Sequence, residues 1–424
     1  MNVDIRRRVG GWARSLGPGL ITGTSDDDPS GIATYSIAGA SAGFSMLWAA
    51  LVTTPMLGVL DGTCARIALA TRAGLMSSLM RSMPRIAAMA LALLIVFANT
   101  FNIGADLEAM AAAAHLLLRF IPEEAWLFAL AGCVVAVEVF FDYRQFANVM
   151  RWLCVSLFAY VVSAFIVHVN WLDVLWHTIV PEVRWSGAWF TTLTATLGTT
   201  ITPYLFFWQT SMTAEEVRAR REPETEDVSR ARVAAVHADA NTGAIYSNAV
   251  AIFIIVTCAA TIGAHGAANI TTAQDAAQAL RPLAGDFAFA LFTLGIVGTG
   301  LLAVPVLAGA SGYMVAEIFG LHEGLDTKPR RARGFYGVIV FGVFAGVLMG
   351  VMHFDPIKAL FWSAVFNGVA AVPLLYAVIR ISRDPRILGA LVVSRAAIVW
   401  LWLALALMVL SAAGMAASWF MGAA

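Results

Sequence analysis

The chain has 424 residues, of which 60% are hydrophobic and only 13% are charged. Lys plus Arg and Asp plus Glu each number 27, so the formal net charge is zero. A water-soluble protein of this size could not bury so much apolar surface and leave so few charges for its exterior. A neutral chain also lacks the basic excess of an electrostatic nucleic-acid binder. The composition therefore predicts a protein whose solvent is a lipid bilayer.

Eleven apolar stretches are long enough to cross a bilayer, which takes about 20 residues of helix. In chain order they cover about 16–43, 44–70, 86–118, 125–141, 146–169, 185–217, 241–264, 287–319, 335–351, 359–379 and 398–419. The polar stretch between the sixth and seventh carries mixed charges, which is typical of a helical connector. We therefore expect an all-α, polytopic membrane protein with eleven transmembrane helices.

The basic residues divide unequally between the two sides of this arrangement. With a cytoplasmic N-terminus, all but four of the 27 Lys and Arg residues fall on the cytoplasmic side, the exceptions being Arg119, Arg184, Arg281 and Lys358. Positive residues concentrate in cytoplasmic loops. The asymmetry predicts a bacterial-type inner-membrane protein with its N-terminus in the cytoplasm and its C-terminus outside. No removable signal peptide is predicted.

Two predicted spans are interrupted near mid-membrane, and they are five spans apart. Residues 26–29 (three Asp and a Pro) interrupt the first, and Thr202-Pro203 interrupts the sixth. Each proline alone is explained equally well as a kink in a packed helix. Matching interruptions in two halves, however, predict an inverted repeat of five plus five helices with a central substrate site. We expect residues 1–184 to form the first repeat, 185–380 the second, and 381–424 an additional C-terminal helix.

The carboxylates beside the first interruption are the main candidate site. A carboxylate at membrane depth is energetically costly and by default functional. If ionised there, it needs a cation as its partner. Asp28, next to the proline, is therefore the first candidate ligand. Asp26 and Asp27 are expected to face a vestibule and attract cations.

At these residues the chain resembles the Nramp family of divalent-metal transporters. Segments 17–20 (Gly-Pro-Gly-Leu), 28–31 (Asp-Pro-Ser-Gly) and 38–40 (Ala-Gly-Ala) match the first-span pattern of the family, and 198–204 matches its sixth-span pattern. The resemblance covers essentially the whole chain. It implies a LeuT-like fold with two unwound helices facing each other, and an ion held by Asp28 and by carbonyl oxygens such as those of Ser25 and Thr199.

Three departures from the family pattern concern the site itself. The Asn, Met and His of the family pattern fall on Gly31, Thr202 and Tyr204. This variant resembles the Nramp-related magnesium transporter branch, in which the ion is thought to keep part of its hydration shell. A thioether favours softer transition metals, whereas oxygen ligands suit Mg²⁺, which dehydrates reluctantly. We therefore expect Mg²⁺ uptake by alternating access, with Mn²⁺ tolerated and small residues leaving room for water.

The proton route of the family is altered in this chain. In the metal–proton symporters of the family, a third-span Asp and a Glu three residues later belong to that route. Here Asp106 keeps the Asp, Ala109 takes the place of the Glu, and Glu108 lies one residue early, about 100° around the helix. Tyr204 replaces the nearby His, and an unperturbed Tyr titrates near 10 where a His titrates near 6.5. We expect weak or no proton coupling. A structural hydrogen-bonded pair explains Asp106 and Glu108 equally well.

Two more polar residues are candidates for the surroundings of the ion. Gln209 follows the sixth-span break by one and a half turns, and Asn367 lies in the tenth span. Either residue could instead form an interhelical hydrogen bond. No organic cofactor and no nucleic-acid partner are predicted. The expected partners are the divalent ion and the bilayer, and the sequence is compatible with a monomer.

Three alternative functions stay open. The nearest is an Mn²⁺ or broad-range divalent metal–proton symporter. An organic-substrate carrier of the same architecture would hold a substrate carboxylate at half-helix N-termini, which three acids at the break disfavour. An intramembrane aspartyl hydrolase could use Asp28 and Asp106 if they lay within hydrogen-bonding reach. No protease motif accompanies these acids, and we expect no enzyme activity.

Overall fold

All regular structure in the computed structural model is helical in the part of the chain that it describes, which is residues 23, 25–140, 157–219, 230–265, 270, 272–325, 327–352 and 355–420. The helices are α1 (Pro29–Ala42), α2 (Leu47–Thr71), α3 (Leu75–Ser82), α4 (Arg85–Leu117), α5 (Glu123–Phe140), α6 (Phe158–Ile166), α7 (Trp171–Ile179), α8 (Gly187–Thr200), α9 (Pro203–Ala219), α10 (Arg230–Thr261), α11 (Ala273–Gln278), α12 (Arg281–Ala284), α13 (Ala288–Phe319), α14 (Arg333–Gly350), α15 (Pro356–Ser382), α16 (Pro385–Leu388) and α17 (Arg395–Phe420).

Seven helical stretches of the described chain are long and apolar enough to cross a membrane: Pro29–Thr71, Arg85–Leu117, Ala231–Thr261, Ala288–Phe319, Arg333–Gly350, Pro356–Ser382 and Arg395–Phe420. Large apolar side chains such as Leu93, Phe341 and Leu410 are about 70% exposed, as expected of surfaces that face lipid. The prediction of an all-α membrane protein is confirmed. The count of eleven stays a prediction, because the first and fifth predicted spans fall partly outside the described residues.

Most helix bounds lie within a few residues of the predicted spans, and α10 is the exception. The seventh span was predicted to begin at Asn241, but the helix begins at Arg230. The earlier residues include five alanines and several polar side chains. Hydropathy detects only the apolar part, whereas alanine and arginine favour helix in any solvent. The helix therefore continues past the predicted boundary into the stretch expected to connect spans six and seven.

Both predicted interruptions are present. Ser25 and Asp26 are helical, the chain bends at Asp27, and Asp28 is extended at φ −66°, ψ 171° before α1 begins at Pro29. In the second break, α8 ends at Thr200 and α9 begins at residue 203. A proline in the first turn of a helix costs no hydrogen bond, because that N–H has no partner within the helix. Each proline therefore starts a new helix at its break.

Glycines let the broken helices approach their neighbours closely. Helix α8 packs on α15, and α1 packs on α10. A Cβ at Gly198 in α8 would lie 2.1 Å from the Ala364 carbonyl oxygen, and a Cβ at Gly39 in α1 would lie 2.4 Å from the Ile255 carbonyl oxygen. Such backbone proximity is the usual role of small residues in membrane helix interfaces. It brings the two interruptions to the interior of the bundle.

Candidate functional site

Asp28 is the N-cap residue of α1 and is 2% exposed. Its Oδ1 accepts hydrogen bonds from the Gly31 amide and the Ser30 hydroxyl, both at 2.7 Å. Its Oδ2 accepts one from Asn102 Nδ2 of α4 at 3.0 Å. A carboxylate has about four lone-pair sites, so these donors orient the group and leave capacity at Oδ2. Asp28 is thus held by local capping and by a second helix, and it can still bind a cation.

Gly31 leaves a space where oxygen atoms from both broken helices converge. A Cβ at this position would meet the Asp26 carbonyl oxygen at 3.2 Å, Thr199 Oγ1 at 3.3 Å and Asp28 Oδ1 at 3.5 Å. Three oxygens therefore surround one point between the two interruptions. Oxygen-only surroundings are those that Mg²⁺ prefers and Mn²⁺ accepts.

The second break contributes oxygens from the end of α8. The Thr202 hydroxyl turns back and donates to the Thr199 carbonyl at 2.6 Å and to the Gly198 carbonyl at 3.2 Å. The Thr199 carbonyl, implied as a ligand, is therefore already an acceptor. The Thr199 hydroxyl, by contrast, faces the space beside Gly31. The structure thus makes the hydroxyl of Thr199 a candidate alongside its carbonyl.

Tyr204 joins the two breaks directly. Its hydroxyl donates to the Ser25 carbonyl at 3.1 Å, so the carbonyl implied as a ligand also has a hydrogen-bond donor. Four residues before Tyr204, the hydroxyl of Thr200 lies 2.9 Å from the hydroxyl of Tyr35. These two contacts link the halves of the first and sixth spans across the site.

Asn102 and Asp106 place α4 against the site. The Asn102 amide nitrogen also lies 3.4 Å from Asp106 Oδ2, and its oxygen accepts a hydrogen bond from Ser363 of α15 at 2.5 Å. Both Asn102 and Asp106 are fully buried. An amide donor therefore bridges the carboxylates of Asp28 and Asp106, and this arrangement is unlike the shared proton of an aspartyl hydrolase.

The side chains of Asp26 and Asp27 turn toward α10. Ser247 donates to Asp26 Oδ2 at 2.7 Å and lies 3.3 Å from Asp27 Oδ1. The other oxygens of these two carboxylates are buried and have no hydrogen-bond partner in the described chain. Both side chains are at most 1% exposed. They therefore lie inside the bundle, and the vestibule predicted for them is not open in this conformation.

The remaining predicted residues divide into two groups. Gln209 in α9 and Asn367 in α15 are each 1% exposed, and neither amide atom of Asn367 has a hydrogen-bond partner in the described chain. Glu108 lines a separate cavity with Glu123 and Glu124. Residues two apart on a helix point about 200° apart, so Asp106 faces the site and Glu108 faces away. The structural pair of Asp106 and Glu108 is not formed.

Sequence reasoning did not assign a role to Asn102, Ser247 or Ser363. Asn102 lies 74 residues from Asp28 along the chain, and Ser247 lies 221 residues from Asp26. A helical spacing was available for the first of them, since Asn102 and Asp106 are four residues apart and share one face of α4. No three Asp, Glu, His or Cys side chains of the described residues form a metal-binding group, so backbone and hydroxyl oxygens must complete any site at Asp28.

Comparisons with known proteins agree with this architecture. The model of the family described as "Natural resistance-associated macrophage protein-like" matches residues 19–418. A protein named divalent metal cation transporter MntH, from Granulibacter bethesdensis, is 25% identical over 388 residues, which is 89% of this chain and 83% of the relative. Another of that name, from Acidiphilium cryptum, is 25% identical over 403 residues, covering 90% and 86%.

Solved structures share the fold. A manganese transporter from Eremococcus coleocola aligns with a TM-score of 0.74 at 16% identity, over 95% of this chain and 86% of that one. Mhp1, a nucleobase-cation-symport-1 family transporter, aligns with a TM-score of 0.57 at 15% identity, over 95% and 92%. The LeuT-like helical fold that the family resemblance implied is confirmed by these likenesses.

Proposed function

The chain belongs to the Nramp family, and from this membership we propose that it carries divalent metal cations across the membrane, with Mg²⁺ as its preferred cargo. The relatives that match nearly its whole length are named as metal cation transporters. The observation that carries the proposal is the convergence of oxygens from Asp26, Asp28 and Thr199 on the space at Gly31.

Alternating access is the proposed mechanism. The half-helices that meet at the breaks are joined by hydrogen bonds such as that of Tyr204 with the Ser25 carbonyl. An ion that binds both breaks can stabilise the closed arrangement, and rocking of one part of the bundle then exposes the site to either side. Net transport is inward in this proposal, because an inside-negative membrane potential draws cations into the cell.

The preference for Mg²⁺ is proposed from the chemistry of the ligands. The described part of the site offers a carboxylate, carbonyls and hydroxyls, and Thr202 supplies a hydroxyl where the family has a thioether. Asn367, buried with both amide atoms unpartnered, and Gln209 are proposed to hydrogen-bond water that the ion retains. Such an environment suits a hard ion that keeps part of its hydration shell.

Mn²⁺ is the second candidate cargo. A protein of similar fold, from Eremococcus coleocola, is a manganese transporter, and Mn²⁺ also accepts oxygen ligands. A symporter for Mn²⁺ or a broad range of divalent ions would additionally need a proton route. We propose weak or no coupling, since Tyr204 and Ala109 replace the His and Glu of the family pattern.

The proposal is tested by uptake of Mg²⁺ and Mn²⁺ into proteoliposomes that contain the wild type or Asp28→Asn. Asparagine caps a helix about as well as aspartate, so the fold is expected to be retained. We expect uptake of both ions, stronger competition by Mg²⁺, and loss of nearly all uptake in the variant. Uptake of Mn²⁺ that excess Mg²⁺ does not inhibit would contradict the preference, and full activity of Asp28→Asn would contradict the site.

A further inference from the structure

We propose that the cavity lined by Glu108, Glu123 and Glu124 binds a hydrated divalent cation, as a second site that supplies ions to the central one. The cavity measures about 180 Å³. It lies between α4, α5, the end of α14 and the start of α15. The inference rests on the proposed transport of cations, and on the predicted orientation, which places this cavity on the outer side.

The surroundings of Glu108 indicate that the cavity binds a ligand. It is only 7% exposed, and no hydrogen bond or ion pair to it is formed within the described residues, whereas its side chain lines the cavity. A buried, unpaired acid at membrane depth is costly unless a cation compensates it. The residue lies nine positions before the end of α4, so the base of the cavity reaches roughly 14 Å into the span.

The wall of the cavity leaves room for such an ion. A Cβ at Gly350 of α14 would lie 3.2 Å from Leu127 and 3.9 Å from the Cβ of Glu108, so any side chain there would narrow the space. About 10–15 Å³ of cavity volume is enough to hold one water molecule. The cavity is therefore large enough for a divalent ion with six waters, which is the coordination that Mg²⁺ favours.

Three carboxylates line the cavity at increasing depth from the surface inward. Glu124 is exposed, Glu123 is half-buried and Glu108 is buried. Lys358, near the start of α15, is paired with Asp355 at 3.2 Å. The described residues do not bring three carboxylates close enough to ligate one ion directly. The ion is therefore bound through its water, which allows fast release.

The cavity lies on the other face of α4 from the central site, so it acts on the supply of ions through its charge. Glu108 follows Asp106 by two residues in the same helix, about 3 Å of rise and 200° of rotation. Asp106 shares the amide of Asn102 with Asp28. A cavity of one charge sign raises the local concentration of counter-ions and their rate of arrival. Its loss should therefore affect transport at low ion concentration and leave the maximal rate unchanged.

The transport test compares Glu108→Gln with Glu138→Gln in proteoliposomes. Glu138 of α5 is a matched control, because it is equally buried at 4% exposure, lacks hydrogen-bond partners in the described chain and lies outside the cavity. We expect Glu108→Gln to raise the KM for Mg²⁺ roughly three- to tenfold at constant maximal rate. Glu108→Asp keeps the carboxylate and should have a KM close to that of the wild type. Glu138→Gln should leave the KM unchanged. A reduced maximal rate with an unaltered KM would overturn the proposal.

A binding test separates this proposal from the transport function. Mn²⁺ is titrated into purified Asp28→Asn, in which the central site is disabled, and followed by electron paramagnetic resonance. We expect a residual class of Mn²⁺ that keeps the spectrum of a hydrated ion, and its loss in Asp28→Asn/Glu108→Gln. Equal Mn²⁺ binding by the single and double variants would overturn the second site. This measurement of Mn²⁺ binding does not depend on whether the wild type transports Mg²⁺.

Discussion

Asp28 is held by donors from its own helix and from α4, and the arrangement has energetic consequences. Ser30, Gly31 and Asn102 together donate three hydrogen bonds to the carboxylate. Hydrogen bonds to a charged group contribute about 1.5–3 kcal/mol each. They offset part of the cost of keeping a carboxylate inside the bundle, and they fix the direction in which it meets an ion.

Replacement of Asn102 by Ala should weaken ion binding without abolishing it. The change leaves Asp28 and Asp106 facing each other without the amide between them, and partners that orient metal ligands typically contribute 10- to 100-fold in affinity. We expect a roughly tenfold higher dissociation constant for Mn²⁺ by isothermal titration calorimetry. Asn99→Ala is the control, since Asn99 lies in the same helix as Asn102 and donates to Ser311 of α13 at 2.9 Å. Equal effects of both variants would contradict the assigned role.

Replacement of Thr202 by Met should shift the selectivity toward softer ions. The thioether would replace a hydroxyl beside the Thr199 carbonyl, and sulfur favours transition metals over Mg²⁺. We expect competition assays to show a several-fold gain of Mn²⁺ over Mg²⁺ in uptake, consistent with soft-ligand preference. Thr202→Val removes the hydroxyl without adding sulfur and should lower uptake of both ions alike. An unchanged ratio in the Met variant would argue against this position as a determinant of selectivity.

At the residue scale, the sequence was informative where a motif is local. Residues 28–31 and 198–204 lie in two short segments, and their polarity within apolar surroundings made them visible. The partners Asn102, Ser247 and Ser363 come from other helices, and only the tertiary packing brings them to these segments. The position of the Thr199 hydroxyl, a candidate ligand alongside the carbonyl, depends on a rotamer, which residue spacing does not determine.

At the element scale, hydropathy predicted most helix bounds well, because a bilayer demands continuous apolar helices of defined length. The boundary of α10 was wrong by eleven residues, since polar side chains interrupt the alanines of its first three turns and lower their hydropathy. The positions of both breaks followed from proline and its small or polar neighbours. The repeat bounds at 184 and 380 stay predictions.

The contact of α8 with α15 offers a test of close packing. A Cβ at Gly198 would overlap the Ala364 carbonyl and the Gly368 backbone at 2.1–2.6 Å, and backbone atoms cannot move as a flexible side chain can. We expect Gly198→Ala to lower the stability of the purified protein by about 1–3 kcal/mol, as overpacking typically does, which can be measured by thermal unfolding. Gly337→Ala is the control, because no atom lies within 4 Å of its Cβ position. A similar melting temperature for both variants would contradict the packing argument.

For the whole molecule, the proposed weak proton coupling makes membrane voltage the main driving force. Moving one charge through 100 mV corresponds to about 2.3 kcal/mol, so a divalent ion gains about 4.6 kcal/mol. We expect an inside-negative potassium diffusion potential to accelerate Mg²⁺ uptake, while a pH-sensitive dye in the lumen reports no metal-dependent acidification. Robust acidification that requires Asp28 would establish symport instead. Protein-free liposomes under the same potential provide the control for leakage.

The amide of Asn102 fastens three helices at one point, since it donates to Asp28 at the start of α1 and its oxygen accepts from Ser363 of α15. An ion that binds the remaining lone pairs of Asp28 Oδ2 leaves this hydrogen bond in place. The loaded carboxylate then stays joined to α4 and, through Asn102, to α15. The arrival of an ion at the start of α1 is therefore felt by both neighbouring helices, and any movement that separates α1 from α4 has to break this hydrogen bond.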